Sequence, residues 1–387
     1  MSIEEVDSVD TVSTAIELRD IISRDPTTRS LFPDFYNDFR KWRESFVRKF
    51  GINGVLSYDS VVQGSFEDGP DLTTSAGDIA FTGNWLILGE EKDYPLLLAF
   101  RIRNRHSYRT TAPSEIAGKT GLLWRTVDGF TNKGFEIPDF HFHQELFKGD
   151  LTLRYGQFSI DSYFDNHKMR SGKRYFLNQA FSDNPAVGFP SYGAGVTTQW
   201  RIDNVWDLSA GISNIQQSEN PDKISMGFTS TANFITAQAG YNFSGFSKHD
   251  ARAQLMLWGS NNSGEDELDK GQGASLTLEH AGAKSGERYI FRLAIADGNA
   301  NVVDRFCAIG WGRAIRKFDH FGMGLGIGRS IDDKDIWQGV AEVYYFWQVT
   351  KELVITPDIQ LISGKKNDVG NEDFFQVVGG IRAGFNF

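Results

Sequence analysis

Cysteine is almost missing from this 387-residue chain: Cys307 stands alone, so no internal disulfide can staple the fold. Also missing is any apolar run approaching the ~18 residues that a membrane-crossing helix needs. With a mean hydropathy of −0.35, transmembrane helices are excluded. A transmembrane β-barrel is not, because its strands show only every second residue to lipid. No basic stretch followed by an apolar one opens the chain, so if the protein is exported, its signal peptide has already been removed. An excess of positive charge is lacking too: 40 Lys and Arg stand against 50 Asp and Glu, a net charge of −10. That balance argues against nucleic acid as a partner and suits exposed acidic loops.

What the chain has in quantity is glycine (40), phenylalanine (31), tyrosine (12) and tryptophan (9). These residues favour strands, tight turns and the aromatic girdles of membrane barrels. Residues 1–48 differ in texture from residues 49–387. In the first part, Ile3, Val6, Val9, Val12, Ile16 and Leu18 recur at mostly three- and four-residue intervals, and Phe35, Phe39, Trp42, Phe46 and Val47 do the same among Arg40, Lys41, Arg43, Arg48 and Lys49. The spacing predicts two amphipathic helices, serving as a cap on the sheet, a plug or an oligomerisation element.

From Gly51 the period changes to two. Ile79, Phe81, Trp85 and Ile87 oppose Asp78, Thr82 and Asn84; Leu96, Leu98, Phe100 and Ile102 oppose Arg101, Arg103 and Arg105; Phe140, Phe142 and Leu146 oppose Asp139, His141, His143 and Glu145. Continued to the end, the pattern predicts on the order of 16 strands, the even number bacterial barrels require. Two features separate this from a soluble β-sandwich or propeller. Charged residues (Arg101, Arg103, Arg154, Arg252, Arg292, Arg382) recur in mid-strand opposite the apolar face, where a dry core would make each very costly and a water-filled lumen would not. Connections also alternate in length: Lys148-Gly149-Asp150, Asp203-Asn204 and Thr350-Lys351 are brief, whereas 107–134 and 159–189 are long. The expected fold is all-β: an antiparallel transmembrane barrel with a short helical N-terminal segment.

The last strand, Val377 to Phe387, alternates Val377, Ile381, Ala383, Phe385 and Phe387 against Gly380, Arg382, Gly384 and Asn386. It resembles the final strand of bacterial outer-membrane barrels, although Arg382 stands where that signal often has glycine. The resemblance implies a bacterial outer-membrane location, a lipid surround and recognition of Phe387 by the barrel-insertion machinery. A second likeness lies in Tyr163-Phe164-Asp165 and in Phe176-Leu177-Asn178-Gln179-Ala180-Phe181-Ser182-Asp183-Asn184-Pro185-Ala186-Val187-Gly188-Phe189-Pro190-Ser191-Tyr192-Gly193-Ala194-Gly195. This block resembles OprB-type carbohydrate-selective porins, as do Gly51-Ile52 with Tyr58 and Asp59, Arg154-Tyr155-Gly156-Gln157-Phe158, and Thr356-Pro357-Asp358-Ile359-Gln360. It implies a 16-stranded porin giving passive passage to monosaccharides and related small polar solutes.

Within that frame the candidate pathway begins with Arg101, Arg103 and Arg105, three guanidiniums about 7 Å apart on one strand face. On a soluble sheet they would be a solvated stripe; in a lumen they would grip hydroxyls, carboxylates or phosphates. His141, His143, Glu145, Arg154, Gln199 and Arg201 come from strands near in order and would complete a lining of donors and acceptors. His141 and His143 could chelate a metal, but no third ligand stands at a diagnostic spacing. Gly322 to Gly328 contains G-x-G spacings without the helix a dinucleotide loop needs, and reads as a bare strand face beside something bulky. Asn178, Gln179, Phe181, Asp183 and Asn184 sit in the long segment expected to fold inward and narrow the lumen. No cofactor, metal or catalysis is called for. Three rivals remain: a porin for small anions, a non-transporting surface barrel (adhesin or barrel enzyme), and a soluble β-protein. A homotrimer is open alongside a monomer.

Overall fold

Period-two alternation becomes a closed antiparallel barrel of 16 strands. The computed structural model describes residues 30–66, 72–88, 95–215, 222–228, 232–243, 250–261, 270–284, 286–316, 318–367 and 372–386. The helix expected over residues 3–18 lies outside them, as does Phe387. The strands are β1 Ile52–Ser65, β2 Leu72–Leu88, β3 Leu96–Ser107, β4 Gly134–Leu146, β5 Leu151–Phe158, β6 Gly193–Arg201, β7 Trp206–Asn214, β8 Asn233–Asn242, β9 Ala251–Ser260, β10 Gly271–Ala281, β11 Arg288–Gly298, β12 Val303–Ala314, β13 His320–Ser330, β14 Trp337–Gln348, β15 Leu353–Lys365 and β16 Asp373–Asn386. β1 closes on β16 from Ser57↔Asn386 to Ser65↔Val378, so the sheet has no free edge.

The faces follow the sequence. Leu257, Leu325, Ile359 and Ile381 point outward and are exposed, whereas Asp59, Asp78, Glu342, Asp358 and Arg382 point inward and are buried. No helix among the described residues is long and apolar enough to cross a membrane. β1 and β2 run further than the apolar alternation suggests, to Ser65 and from Leu72. At that end Gly64, Ser65, Thr73, Thr74, Ser75 and Gly77 dilute the hydrophobic period, while backbone pairing continues.

Connections of few residues gather at one end, such as Phe147–Gly149 with Lys148 and Gly149 at positive φ. The segments 108–133 and 159–192 leave from the other. Helix α1, Pro33–Phe50, precedes β1 at the short-turn end; Gly51, at φ 67°, takes the left-handed turn that ends the helix and donates its N–H to the Val47 carbonyl at 2.8 Å. Two short helices interrupt the long segments, α2 Ile116–Thr120 and α3 Gln179–Ser182.

The inside of the barrel is packed. One apolar cluster joins Trp124, Met169, Phe176 and Phe181 from the long segments to Phe306, Tyr344 and Phe346 on the wall, and another joins Phe158, Phe164 and Val187 to Phe234 and Trp258.

Candidate functional site

Segment 159–192 folds into the barrel because the wall supplies partners for its backbone. Glu342 on β14 accepts the N–H groups of Leu177 and Asn178 at 2.6 and 3.0 Å. Asn178 in turn caps α3 by accepting from the Ala180 N–H, and donates to Gln360 on β15 at 2.8 Å. Asp165, held at φ 53°, accepts from Ser275 and Thr277 of β10 at 2.7 and 2.9 Å and from Asn184 at 2.7 Å. Arg292 of β11 donates to the carbonyls of Asp165 and Asp183, and Arg382 of β16 to those of Gly172 and Tyr175.

The alternate glycines of β13 make room for this segment. A Cβ on Gly324 would lie 2.6 Å from the Phe181 ring, and one on Gly328 would lie 2.7 Å from the Trp124 ring. The bare face expected from Gly322 to Gly328 is pressed against bulky side chains, two of them from the long segments.

Segment 108–133 folds inward as well, which the sequence reading did not anticipate. Gln338 of β14 accepts from the Leu123 N–H and donates to the Gly121 carbonyl, both at 2.8 Å, while Gln63 and Gln360 both donate to the Thr126 carbonyl. The two segments are sewn together by Asp128 N–H to Leu177 O and Gln179 N–H to Arg125 O, each 3.0 Å. Glutamines at inward strand positions were the available signal, but only long-range pairing gives them meaning.

Charge pairs also stand on the inward faces of β3 and β4. Arg101 meets Asp139 at 3.0 Å; Arg103 and Arg105 both meet Glu136, at 3.2 and 2.6 Å. The three guanidiniums therefore do not form a bare positive stripe. A β-bulge makes this possible: the β3–β4 register passes from Arg101↔Asp139 to Arg103↔Glu136, setting Ile137 and Pro138 against Ile102 alone, one residue in excess. Strict alternation from His141 through Asp139 would send Glu136 outward. The bulge turns it in, and proline, with no N–H to donate, fits the interruption. Alongside, Lys173 of the infolded segment bridges Asp59 on β1 and Asp78 on β2, the cross-strand neighbour of Arg105, at 2.9 and 3.3 Å. Arg170 pairs with Asp161 at 2.5 Å and Asp183 at 3.4 Å.

The other expected positions divide. His141 shares a 2.8 Å hydrogen bond with the Tyr163 hydroxyl, and Arg154 stacks over the Tyr163 ring at 4.5 Å, so both fasten the segment to the wall. His143 lies 3.4 Å from Glu145. No group of three metal-ligating side chains occurs among the described residues. Glu145, Gln199 and Arg201 line a polar cavity of about 530 Å³ at the short-turn end, together with Thr152, Asp207 and Arg252. There Asp207 and Arg252 form a 2.7 Å ion pair laid across Gly240, where a Cβ would collide with the guanidinium. In the infolded segment Asn178, Phe181 and Asn184 are buried anchors, whereas Gln179 and Asp183 are half-buried.

Electrostatics inside the segment follow burial. Burial pushes the Asp183 carboxyl up to about 6 despite Arg170 nearby. His167 is held well below the usual imidazole value by burial, then by Arg292 and Arg170. Its Nε2 bonds the Phe181 carbonyl at 3.0 Å and its Nδ1 accepts from the Met169 N–H at 3.2 Å, an arrangement that needs the neutral ring.

Residues 249–387, from just before β9 to the end, match the family model of the carbohydrate-selective porins, OprB family. No curated protein matches the chain in sequence. A high-pH structure of Pseudomonas putida OprB is similar at TM-score 0.73 and 15% identity, covering 90% of this chain and 97% of that one; its low-pH structure gives 0.60 and 13%, covering 93% and 100%. An anion-selective porin from Comamonas acidovorans is similar at TM-score 0.53 and 11% identity, covering 87% and 99%.

Proposed function

We propose that this chain, OprB-like in sequence over residues 249–387, is a bacterial outer-membrane porin giving passive, selective diffusion to small hydrophilic solutes, monosaccharides above all. It is a channel, and chemistry on the solute has no part in this reading. The observation that carries the choice of solute is the pairing of the arginine row. Arg101, Arg103, Arg105 and Lys173 are matched by Asp139, Glu136, Asp59 and Asp78. The Arg101 and Arg103 side chains are 15% exposed, whereas Glu136 is 0% and Asp139 6% exposed. The pathway therefore offers N–H donors whose charge is cancelled from behind. Such a surface replaces water around hydroxyl oxygens without the deep attraction that would trap an anion.

Selectivity then comes from width and donor placement: segments 108–133 and 159–192 narrow the barrel from within, and the solute passes the arginine row of β3. The polar cavity at the short-turn end is its inner mouth. Recognition of Phe387 by the insertion machinery and assembly as a homotrimer belong to this proposal too.

Liposome swelling with the purified chain tests it. Neutral monosaccharides should enter faster than organic acids of the same size. Faster entry of the acids would favour the small-anion reading, and absence of conductance steps in planar bilayers would favour a non-transporting barrel.

A further inference from the structure

Helix α1 carries an apolar stripe whose largest members are exposed. Phe39, Trp42, Phe46 and Phe50 follow one another at three- and four-residue intervals, with ring centroids 5.6, 5.2 and 4.8 Å apart along the series. Trp42 is 57% and Phe50 47% exposed. Cations border this stripe: on the helical wheel Arg43 stands at one edge and Lys49 at the other, with the Lys49 ammonium 5.1 Å from the centre of the Phe50 ring.

Both ends of the helix are fixed to the rim of the barrel. Glu352, in the turn between β14 and β15, accepts from the Ser30 hydroxyl and from the Leu31 N–H just before the helix starts. At the other end the Gly51 carbonyl accepts from the Leu86 N–H of β2 at 2.9 Å. An 18-residue helix, about 27 Å long, thus runs along the short-turn rim under β15, β16 and β1. The strands on either side of this span carry outward, exposed tryptophans at the same end, Trp347 on β14 and Trp85 on β2. Indole rings at that height mark the boundary between headgroups and acyl chains.

We propose that α1 lies in that boundary, with the aromatic stripe among the lipid chains and Arg43 and Lys49 on the headgroups of anionic phospholipids. The helix fills the gap in the tryptophan belt between β14 and β2. This combination of an aromatic face and basic borders is what surface-seeking helices present. The proposal rests on the barrel spanning a bilayer and is independent of the solute.

The full-length chain carrying Cys307→Ser receives a single nitroxide at Trp42→Cys, Asn37→Cys or Leu325→Cys, in vesicles of phosphatidylethanolamine with or without phosphatidylglycerol. We expect the label at 42 to be several-fold more accessible to oxygen than to a water-soluble nickel complex, as at 325 on the lipid face, and the label at 37 to show the reverse. Adding Arg43→Gln and Lys49→Gln should move the label at 42 toward water in the anionic vesicles and leave it unmoved in the neutral ones. Nickel access at 42 equal to that at 37 would overturn the proposal. So would protection of 42 from both reagents, which would mean cover by residues 1–29 or by a second copy. A label at 325 open to nickel would instead remove the bilayer premise, and the proposal with it.

Discussion

Arg105 and Glu136 meet side-on across the β3–β4 interface: Nε donates to Oε2 at 2.6 Å and Nη2 to Oε1 at 2.8 Å. Arg103 reaches the same carboxylate. One acid therefore cancels much of the charge that two neighbouring arginines would otherwise turn toward the solute.

Replacing Glu136 by Gln should leave Arg103 and Arg105 without that counter-charge and make the channel markedly more anion-selective. The reversal potential in a KCl gradient reads this directly. Breaking a buried pair costs about 3–5 kcal/mol, so the variant should also melt at a lower temperature. Unchanged ion preference in a folded variant would take the arginine row out of the conducting path.

Glu342→Ala removes the acceptor for the Leu177 and Asn178 N–H groups. Leaving buried donors unsatisfied costs about 1–3 kcal/mol each, enough to loosen segment 159–192 while the 16-strand ladder persists. Single-channel conductance should rise and its noise increase. A trace identical to that of the parent would mean that this anchor does not hold the constriction.

Gly324→Ala places a methyl group 2.6 Å from the Phe181 ring, whereas at Gly339 the nearest atom to an added Cβ is 3.7 Å away. Overpacking should cost the first variant about 1–3 kcal/mol and the second little. The midpoint of heat-induced mobility shift on a detergent gel compares them, and equal midpoints would refute the close packing of the segment on β13.

His167 gives the infolded segment an acid limit. The folded-state value lies below the ordinary 6.5 because the ring is buried beside Arg292 and Arg170. Below pH 6.5 the unfolded chain binds more protons at this site than the folded one, so stability falls as pH falls. Asp183, pushed up to about 6, has the opposite sign: the folded chain holds the extra proton, and stability falls as pH rises from about 4 through 6. His167→Gln should therefore lessen the loss of stability on acidification from pH 6.5, measured as the melting midpoint against pH. Parallel curves for variant and parent would assign the acid response elsewhere.

Much of the architecture was legible because strand period is local. The alternation of Leu96, Leu98, Phe100 and Ile102 with Arg101, Arg103 and Arg105 needs no partner to be read, and sixteen such segments define the barrel. The inward fold of segment 159–192 was visible only through resemblance, since its polar turns would equally suit an external loop. Segment 108–133 gave no warning in its own residues, because its anchors Gln63, Gln338 and Gln360 lie far along the chain from Thr126 and Leu123.

By itself the sequence determined which residues of each regular strand face lipid and which face the lumen, since side-chain parity is a property of consecutive peptide units. Only the tertiary structure decided what the inward charges do. The bulge at Ile137-Pro138 reverses parity for Glu136, and the balance of Arg103 and Arg105 exists because that reversal brings a carboxylate from one strand to guanidiniums on another. Pairing of this kind depends on register, and register is set by the whole closed sheet.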